Sequence, residues 1–183
     1  GTTPATRSMC KFHTVTVQSD TRGNIPLNKF REVLDSDVAV VMITNPNTLG
    51  LFEENLSEIS DLARSNGTLL YCDGANMNAL LGIGKPEEQG FDMVHLNLHK
   101  TFSTPHGGGG PGMGPIAVAD HLKNFIPKSL INAFISLFVI ARGNISALIA
   151  TRCELIASIV STMRSRSALD FISLTQTLAC STK

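Results

Sequence analysis

Neither sign of charge is in excess, since fifteen Lys and Arg balance fifteen Asp and Glu. The chain therefore lacks the basic footprint that nucleic acid or an anionic membrane would call for. None of the four cysteines, Cys10, Cys72, Cys153 and Cys180, falls in a C-x-x-C or Cys/His metal spacing. They read as free thiols of a reducing compartment, and no metal site is expected. The longest strongly apolar run, Leu130 to Ala141, is too short to span a bilayer. No signal or transit segment is visible, and the opening GTTPATRSMC reads as the middle of a protein. At 183 residues, the chain is long enough for one domain with a real core; a complete domain near this size buries roughly 70% of its unfolded surface.

A second set of absences divides the chain. Residues 129–183 contain no proline, one glycine and only two acids, Glu154 and Asp170, against five Lys and Arg and nine serines. Residues 1–128 hold 13 acids, 10 Lys and Arg, all eight prolines and 14 of the 15 glycines. The first part is punctuated like an α/β domain, whereas the tail reads as helices or as a segment never selected to fold. Ile145, Leu148, Ile149, Leu155, Ile156, Ile159, Val160 and Met163 mark an apolar helical face there, interrupted by Arg152. A packing helix explains that face better than a membrane role.

Within the first part, CKFHTVTVQ alternates like a strand and SDTRGNIP supplies turn chemistry. LNKFREVLD is a short helix candidate. DVAVVMIT, Asp37 to Thr44, is a continuous apolar run that suits a strand covered on both faces. In ENLSEISDLARSNG, Leu56, Ile59, Leu62 and Ala63 share a helical stripe, with Gly67 as a C-terminal stop. TLLYCD predicts a strand, ANMNALLG a short helix and FDMVHLN another strand. Alternating strands and helices imply right-handed crossovers and a mostly parallel sheet.

Open α/β sheets bind ligands beyond the carboxyl ends of their strands. Three groups fall at such ends: Asn45 after the strand to Thr44, Asp73 closing TLLYCD, and Lys100 beyond FDMVHLN. Singly, each has a plain explanation as a turn residue, a helix N-cap and a solvated charge. Together they meet one chemical requirement. A lysine that forms an imine with an aldehyde must be able to shed its proton. A pyridine ring acting as an electron sink needs its nitrogen protonated, which a carboxylate favours. A neutral amide can hydrogen-bond the ring phenolate. Pyridoxal 5'-phosphate asks for these three groups.

The segments NPNTLGLFEEN, YCDGANMNALLGI and FDMVHLNLHKTFSTPHGGGGPGMGPI closely resemble the pyridoxal-phosphate-dependent glycine decarboxylases, the P-proteins of the glycine cleavage system. They are similar to the lysine-bearing half, which in some bacteria is a separate second subunit. GTTPATRSMC also resembles a family segment, with Thr3 where asparagine is expected. The resemblance covers Gly1 to about Pro127 and stops at Lys128. It implies a partial large domain of the aspartate-aminotransferase type (fold type I) over residues 1–127, followed by an unrelated and helical tail over 128–183. Lys100 matches the lysine that joins the cofactor, Asp73 the aspartate paired with the pyridine nitrogen, Ala75 the small residue packed on one ring face, and Asn45 the residue near the ring hydroxyl. His99 resembles a histidine that lies near the cofactor phosphate in related decarboxylases, and it joins Lys100 as a catalytic candidate. Holding the loop through a backbone hydrogen bond is the alternative for His99.

The glycines Gly107 to Gly110, Gly112 and Gly114 permit positive φ and close approach of backbone N–H groups to a ligand. His106 could contact a phosphate or carboxylate, although a surface histidine is the simpler reading. Glu53 and Glu54 suit the start of a helix. The reaction the resemblance implies is glycine decarboxylation, with the aminomethyl group passed to the lipoyl arm of H-protein. The implied partners are glycine, H-protein and a complementary half or first subunit. The implied location is the cytoplasm of a bacterium, or the mitochondrial matrix of a eukaryote.

Because the family protein is longer, segments binding the cofactor phosphate are expected before Gly1. For the tail, a divergent small domain, a fusion or a shifted reading frame would each break the composition, and the shifted frame best explains why resemblance ends at the same place. A non-catalytic fragment, or another decarboxylase or transferase of the same cofactor fold, remains the alternative function.

Overall fold

The computed structural model of the chain describes residues 12–106, 114–126, 148–149 and 170–175. Its centre is a strand that never meets water. β2, Val38–Ile43, is buried at all six positions, as expected for an apolar run covered on both faces. β3, Leu69–Gly74, and β4, Met93–Leu96, follow it in parallel register. β1 is His13–Gln18 and β5 is Pro115–Val118, the latter antiparallel to β4.

Side chains alternate across these strands and build two cores. On one face Met42, Tyr71, Met93 and Ile116 pack with Leu122, which belongs to a 3-10 helix at Asp120–Phe125. On the other face Val41, Ile43, Leu70 and Cys72 are covered by two helices, α1 at Leu27–Val33 and α2 at Leu56–Asn66. Phe30 of α1 and Ile59 of α2 are both fully buried. α2 buries Leu56, Ile59 and Ala63 and ends at Gly67, whose φ of 74° lets its N–H bond back to Ala63 and Arg64. The predicted stripe and stop of this helix are thereby found in place, with Leu62 at its half-buried margin.

Two expectations about secondary structure are corrected. ANMNALLG is a series of turns, not a helix: Leu80 and Leu81 N–H bond to Met77 O, and Gly82 at φ 76° ends the coil after one repeat. A single turn carries the nucleation cost without the elongation that offsets it. The tail was expected to be helical, yet its described residues are strands. β6, Leu148–Ile149, pairs antiparallel with β5, and β7, Asp170–Thr175, lies between β1 and β2 and parallel to both. The physical reason is backbone demand: the facing edges of β1 and β2 need ladder partners, and DFISLT supplies aromatic and β-branched residues suited to a strand. Among the described residues the seven strands run β1-β7-β2-β3-β4-β5-β6. The remaining residues of the predicted apolar face, and Gly107 to Gly110 and Gly112, lie outside the described residues. Among the described residues no helix is long and apolar enough to cross a membrane.

Polar side chains tie the loops to this sheet. Glu53 does more than open a helix: it is 5% exposed, and its carboxylate accepts N–H bonds from Ile25 at 2.8 Å and Asn55 at 3.0 Å. Asn24 Oδ1 accepts from Glu54 N–H, and Asn55 Nδ2 donates to Ile25 O. The loop after β2 is thereby held against the segment before α1.

Cys72 is a free, buried thiol in β3. Burial first, and then the neighbouring Asp73 carboxylate, push it up to about 12, with an Asn45 N–H bond opposing them. In the unfolded chain a thiol titrates near pH 8.5. A folded value above the unfolded one means that this contribution to stability is complete below about pH 8.5 and is lost as pH rises toward the folded value. Cys72 should therefore resist alkylation at pH 8.5 in the folded chain and react readily in urea. Mass-spectrometric mapping of iodoacetamide adducts checks this; equal labelling rates in the two states would contradict it.

Candidate active site

The carboxyl edge of β2, β3 and β4 carries the three groups singled out from the sequence. Asp73 is the fifth residue of β3 and faces His95 of β4 as its register partner. His95 Nε2 is 3.1 Å from Asp73 Oδ1, and Tyr71 Oη is 2.9 Å from His95 Nδ1. Tyr71 and His95 are 2% and 1% exposed, and their rings lie 5.6 Å apart. Strand alternation explains the grouping, since Tyr71 and Asp73, two apart, share one face. Ala75 N–H also donates to Asp73 Oδ1, at 3.2 Å. Asp73 therefore makes a tight turn at its strand end and caps no helix. Close strand approach depends on Gly74, where a Cβ would lie 2.6 Å from Val94 Cγ2 and 2.7 Å from His95 O.

Lys100 is exposed in the turn that follows β4, its N–H bonded to Asn97 O. That turn is fastened to the loop after β3. Met77 N–H donates to Thr101 Oγ1 at 2.8 Å, and Thr101 Oγ1 donates to Asn76 Oδ1 at 3.3 Å. Thr104 N–H closes it on Leu98 O, with Ser103 in the left-handed region at φ 57°. The loop bearing Ala75 and the loop bearing Lys100 are thus one hydrogen-bonded unit.

His99 is half-buried, and its ring meets that of His106 edge-on at 4.7 Å. Its Nδ1 is buried with no hydrogen-bond partner among the described residues, so this atom does not hold the loop through a backbone bond there. A buried ring nitrogen of this kind is a place for a ligand oxygen. His106 is exposed.

Asn45 is buried beyond β2, and its amide already serves the loop. Oδ1 accepts from Glu53 N–H at 3.0 Å, and Nδ2 donates to Gln89 Oε1 at 3.3 Å. The plain reading as a turn residue accounts for both bonds. Among the described residues no group of three or more His, Cys, Asp or Glu side chains is arranged to hold a metal ion. Two cavities, of about 330 and 240 Å³, lie elsewhere, and neither is lined by Asp73, His99 or Lys100.

Tyr71, His95 and Glu53 were not singled out from the sequence as site residues. The signal for the first two is a polar side chain at alternate positions of otherwise apolar strands, which becomes legible once β3 and β4 are set side by side.

Comparison with known proteins is concordant. The family model described as aminotransferase class-V matches residues 3–143, running past Pro127. The chain is 56% identical over 131 residues to a protein of Desulforamulus reducens named probable glycine dehydrogenase (decarboxylating) subunit 2. A protein of the same name from Chloroherpeton thalassium is also 56% identical over 131 residues, and one from Kosmotoga olearia is 54% identical over 132. Each alignment covers 72% of this chain and 27% of the relative, so the chain spans about a quarter of the length of these curated relatives. Pyridoxal 5'-phosphate is the cofactor of this family. The mixed α/β sheet is consistent with part of a fold-type-I pyridoxal-phosphate domain, and the chain belongs to the class-V aminotransferase family.

Proposed function

We propose that this chain is the lysine-bearing part of a glycine decarboxylase of the glycine cleavage system. The observation that carries the reading is one carboxyl edge bearing the buried-histidine-backed Asp73 and, on the adjoining loop, Lys100. The name that its relatives carry, glycine dehydrogenase (decarboxylating) subunit 2, supports the substrate. The cofactor fits the residues present: Asp73 has a fixed carboxylate oxygen, His99 an orphaned buried nitrogen, and Lys100 an exposed amine.

Pyridoxal 5'-phosphate, when bound, supplies an aldehyde that joins amines and a protonated ring that accepts the electron pair released as carbon dioxide leaves. Lys100 Nζ would be the amine that anchors it, and once free would take up or give a proton. The Asp73 carboxylate holds a proton on the ring nitrogen by charge and hydrogen bond. Ala75 keeps one ring face approachable because its side chain is a methyl group. His99 Nδ1 is the donor for a phosphate oxygen. A contact of Asn45 with the ring hydroxyl draws on the second Nδ2 hydrogen, the first being given to Gln89. The lipoyl disulfide of H-protein would be the acceptor of the aminomethyl group.

In this reading residues 1–127 are the partial cofactor-binding large domain and 128–183 a tail of separate origin, whose described strands add to the sheet. The site is completed by a complementary half or first subunit. Large apolar side chains support this where they stand exposed on the loops after β2, β3 and β4: Leu49 and Phe52, Leu81 and Ile83, and Phe102. The bacterial relatives support a cytoplasmic setting. The coverage of 27% of the relatives' length favours a second reading, a non-catalytic fragment. A visible absorption band on adding cofactor, with and without the complementary half, separates the two.

Borohydride reduction of the cofactor-loaded protein followed by peptide mapping should label Lys100, and Lys100→Ala should abolish the label and the visible band. Label on Lys85 or Lys123 would overturn the assignment. Asp73→Asn should retain attachment at Lys100 yet lose at least about a hundredfold in glycine–bicarbonate exchange, because two units of pKa on the ring nitrogen are worth about 2.7 kcal/mol. Near-normal exchange by that variant would reduce Asp73 to a turn-forming residue.

A further inference from the structure

The hydrogen bonds described for Asp73 lead inward from the site. Two contacts, with His95 Nε2 and with Ala75 N–H, converge on the same oxygen, Oδ1. Two donors on one oxygen fix the rotation of a carboxylate more firmly than one donor would. An ionised carboxylate only accepts hydrogen bonds, so at 3.1 Å His95 carries its proton on Nε2. With Nδ1 unprotonated, that atom is an acceptor, and the Tyr71 hydroxyl at 2.9 Å is placed to donate to it. Each donor in the chain Tyr71–His95–Asp73 meets an acceptor, and the strand register that pairs Asp73 with His95 sets the geometry before any ligand arrives.

We propose that His95, oriented by Tyr71, is a positioning residue of the site: it holds the Asp73 carboxylate ionised and in one rotation, so that it meets the ring nitrogen of the cofactor. The inference rests on the reading of Asp73 given above and deepens it. A buried residue that only completes the core would need no particular tautomer. A residue that serves Asp73 must donate through Nε2, and the phenol two residues before Asp73 accommodates that tautomer by offering Nδ1 a donor. Low surrounding dielectric makes the chain strong when complete and costly when broken.

The test uses the full 183-residue chain. Nitrogen-15 spectra of its imidazoles should show His95 with its proton on Nε2, and Tyr71→Phe should shift both ring nitrogens. A proton on Nδ1, or resonances indifferent to Tyr71→Phe, would overturn the proposal. Titration with pyridoxal phosphate should then show His95→Leu weakening affinity about tenfold or more, the scale of one lost charge-assisted hydrogen bond, and shifting the visible band. His95→Gln, whose amide restores a donor near the Nε2 position, should recover most of both. Equal affinity and band in wild type and His95→Leu would overturn the proposal. If His95→Leu does not fold, Tyr71→Phe takes its place in the titration, and an unchanged band in that variant counts against the chain. Absence of any trapped cofactor in the wild type, with the complementary half present, contradicts the proposed function instead, and the tautomer measurement still decides the role of His95.

Discussion

The contact between Asp73 and His95 across two parallel strands is the constraint on which the site depends. It exists because β3 and β4 are in register at these residues and because Gly74 removes the one side chain that would push them apart. An isolated carboxylate at a strand end is free to turn toward water. Here it is tied to a histidine that is tied to a tyrosine, both inside the core. The same face of the sheet therefore supplies packing through Met93 and Met42 and polarity through His95 and Asp73. The change from one to the other occurs within two residues of the carboxyl edge.

The loops are fastened by a different kind of interaction, backbone N–H groups accepted by buried or half-buried side chains. Thr101 accepts from Met77, Glu53 from Ile25 and Asn55, and Asn45 from Glu53. Leaving one such buried donor without a partner costs about 1–3 kcal/mol, which makes these few side chains comparable in weight to a sizeable piece of core. They also explain how a site assembled on loops keeps its shape: the turn carrying Lys100 cannot drift from Ala75 without breaking the Thr101 bonds. Exposed apolar residues on the outer parts of those same loops fit a surface that further protein covers.

Most of the sheet was legible from the sequence because its signals are local. A wholly apolar run became the buried β2, and a glycine after an amphipathic stripe became the left-handed stop of α2. The candidate residues Asp73 and Lys100 were legible because strand ends can be read before strand order is known. What was illegible depended on neighbours distant in sequence. His95 matters only beside Asp73, and Glu53 only beside Ile25. ANMNALLG has helical composition, but one turn with Gly82 behind it does not propagate. The tail's helical periodicity gave no sign that DFISLT would find two strand edges to join. The Asn45 amide is spent on its own loop, a commitment that no spacing reveals.

In the proposed site the carboxyl edge of this sheet keeps a cofactor ring nitrogen protonated through Asp73 while Lys100 holds the aldehyde end. The most direct measurement is the nitrogen-15 chemical shift of ring-labelled pyridoxal phosphate bound to the protein. A protonated ring nitrogen is expected in the wild type near neutral pH and a neutral one in Asp73→Asn, with attachment to Lys100 intact in both. A neutral ring nitrogen in the wild type, or an unchanged shift in Asp73→Asn, would contradict it.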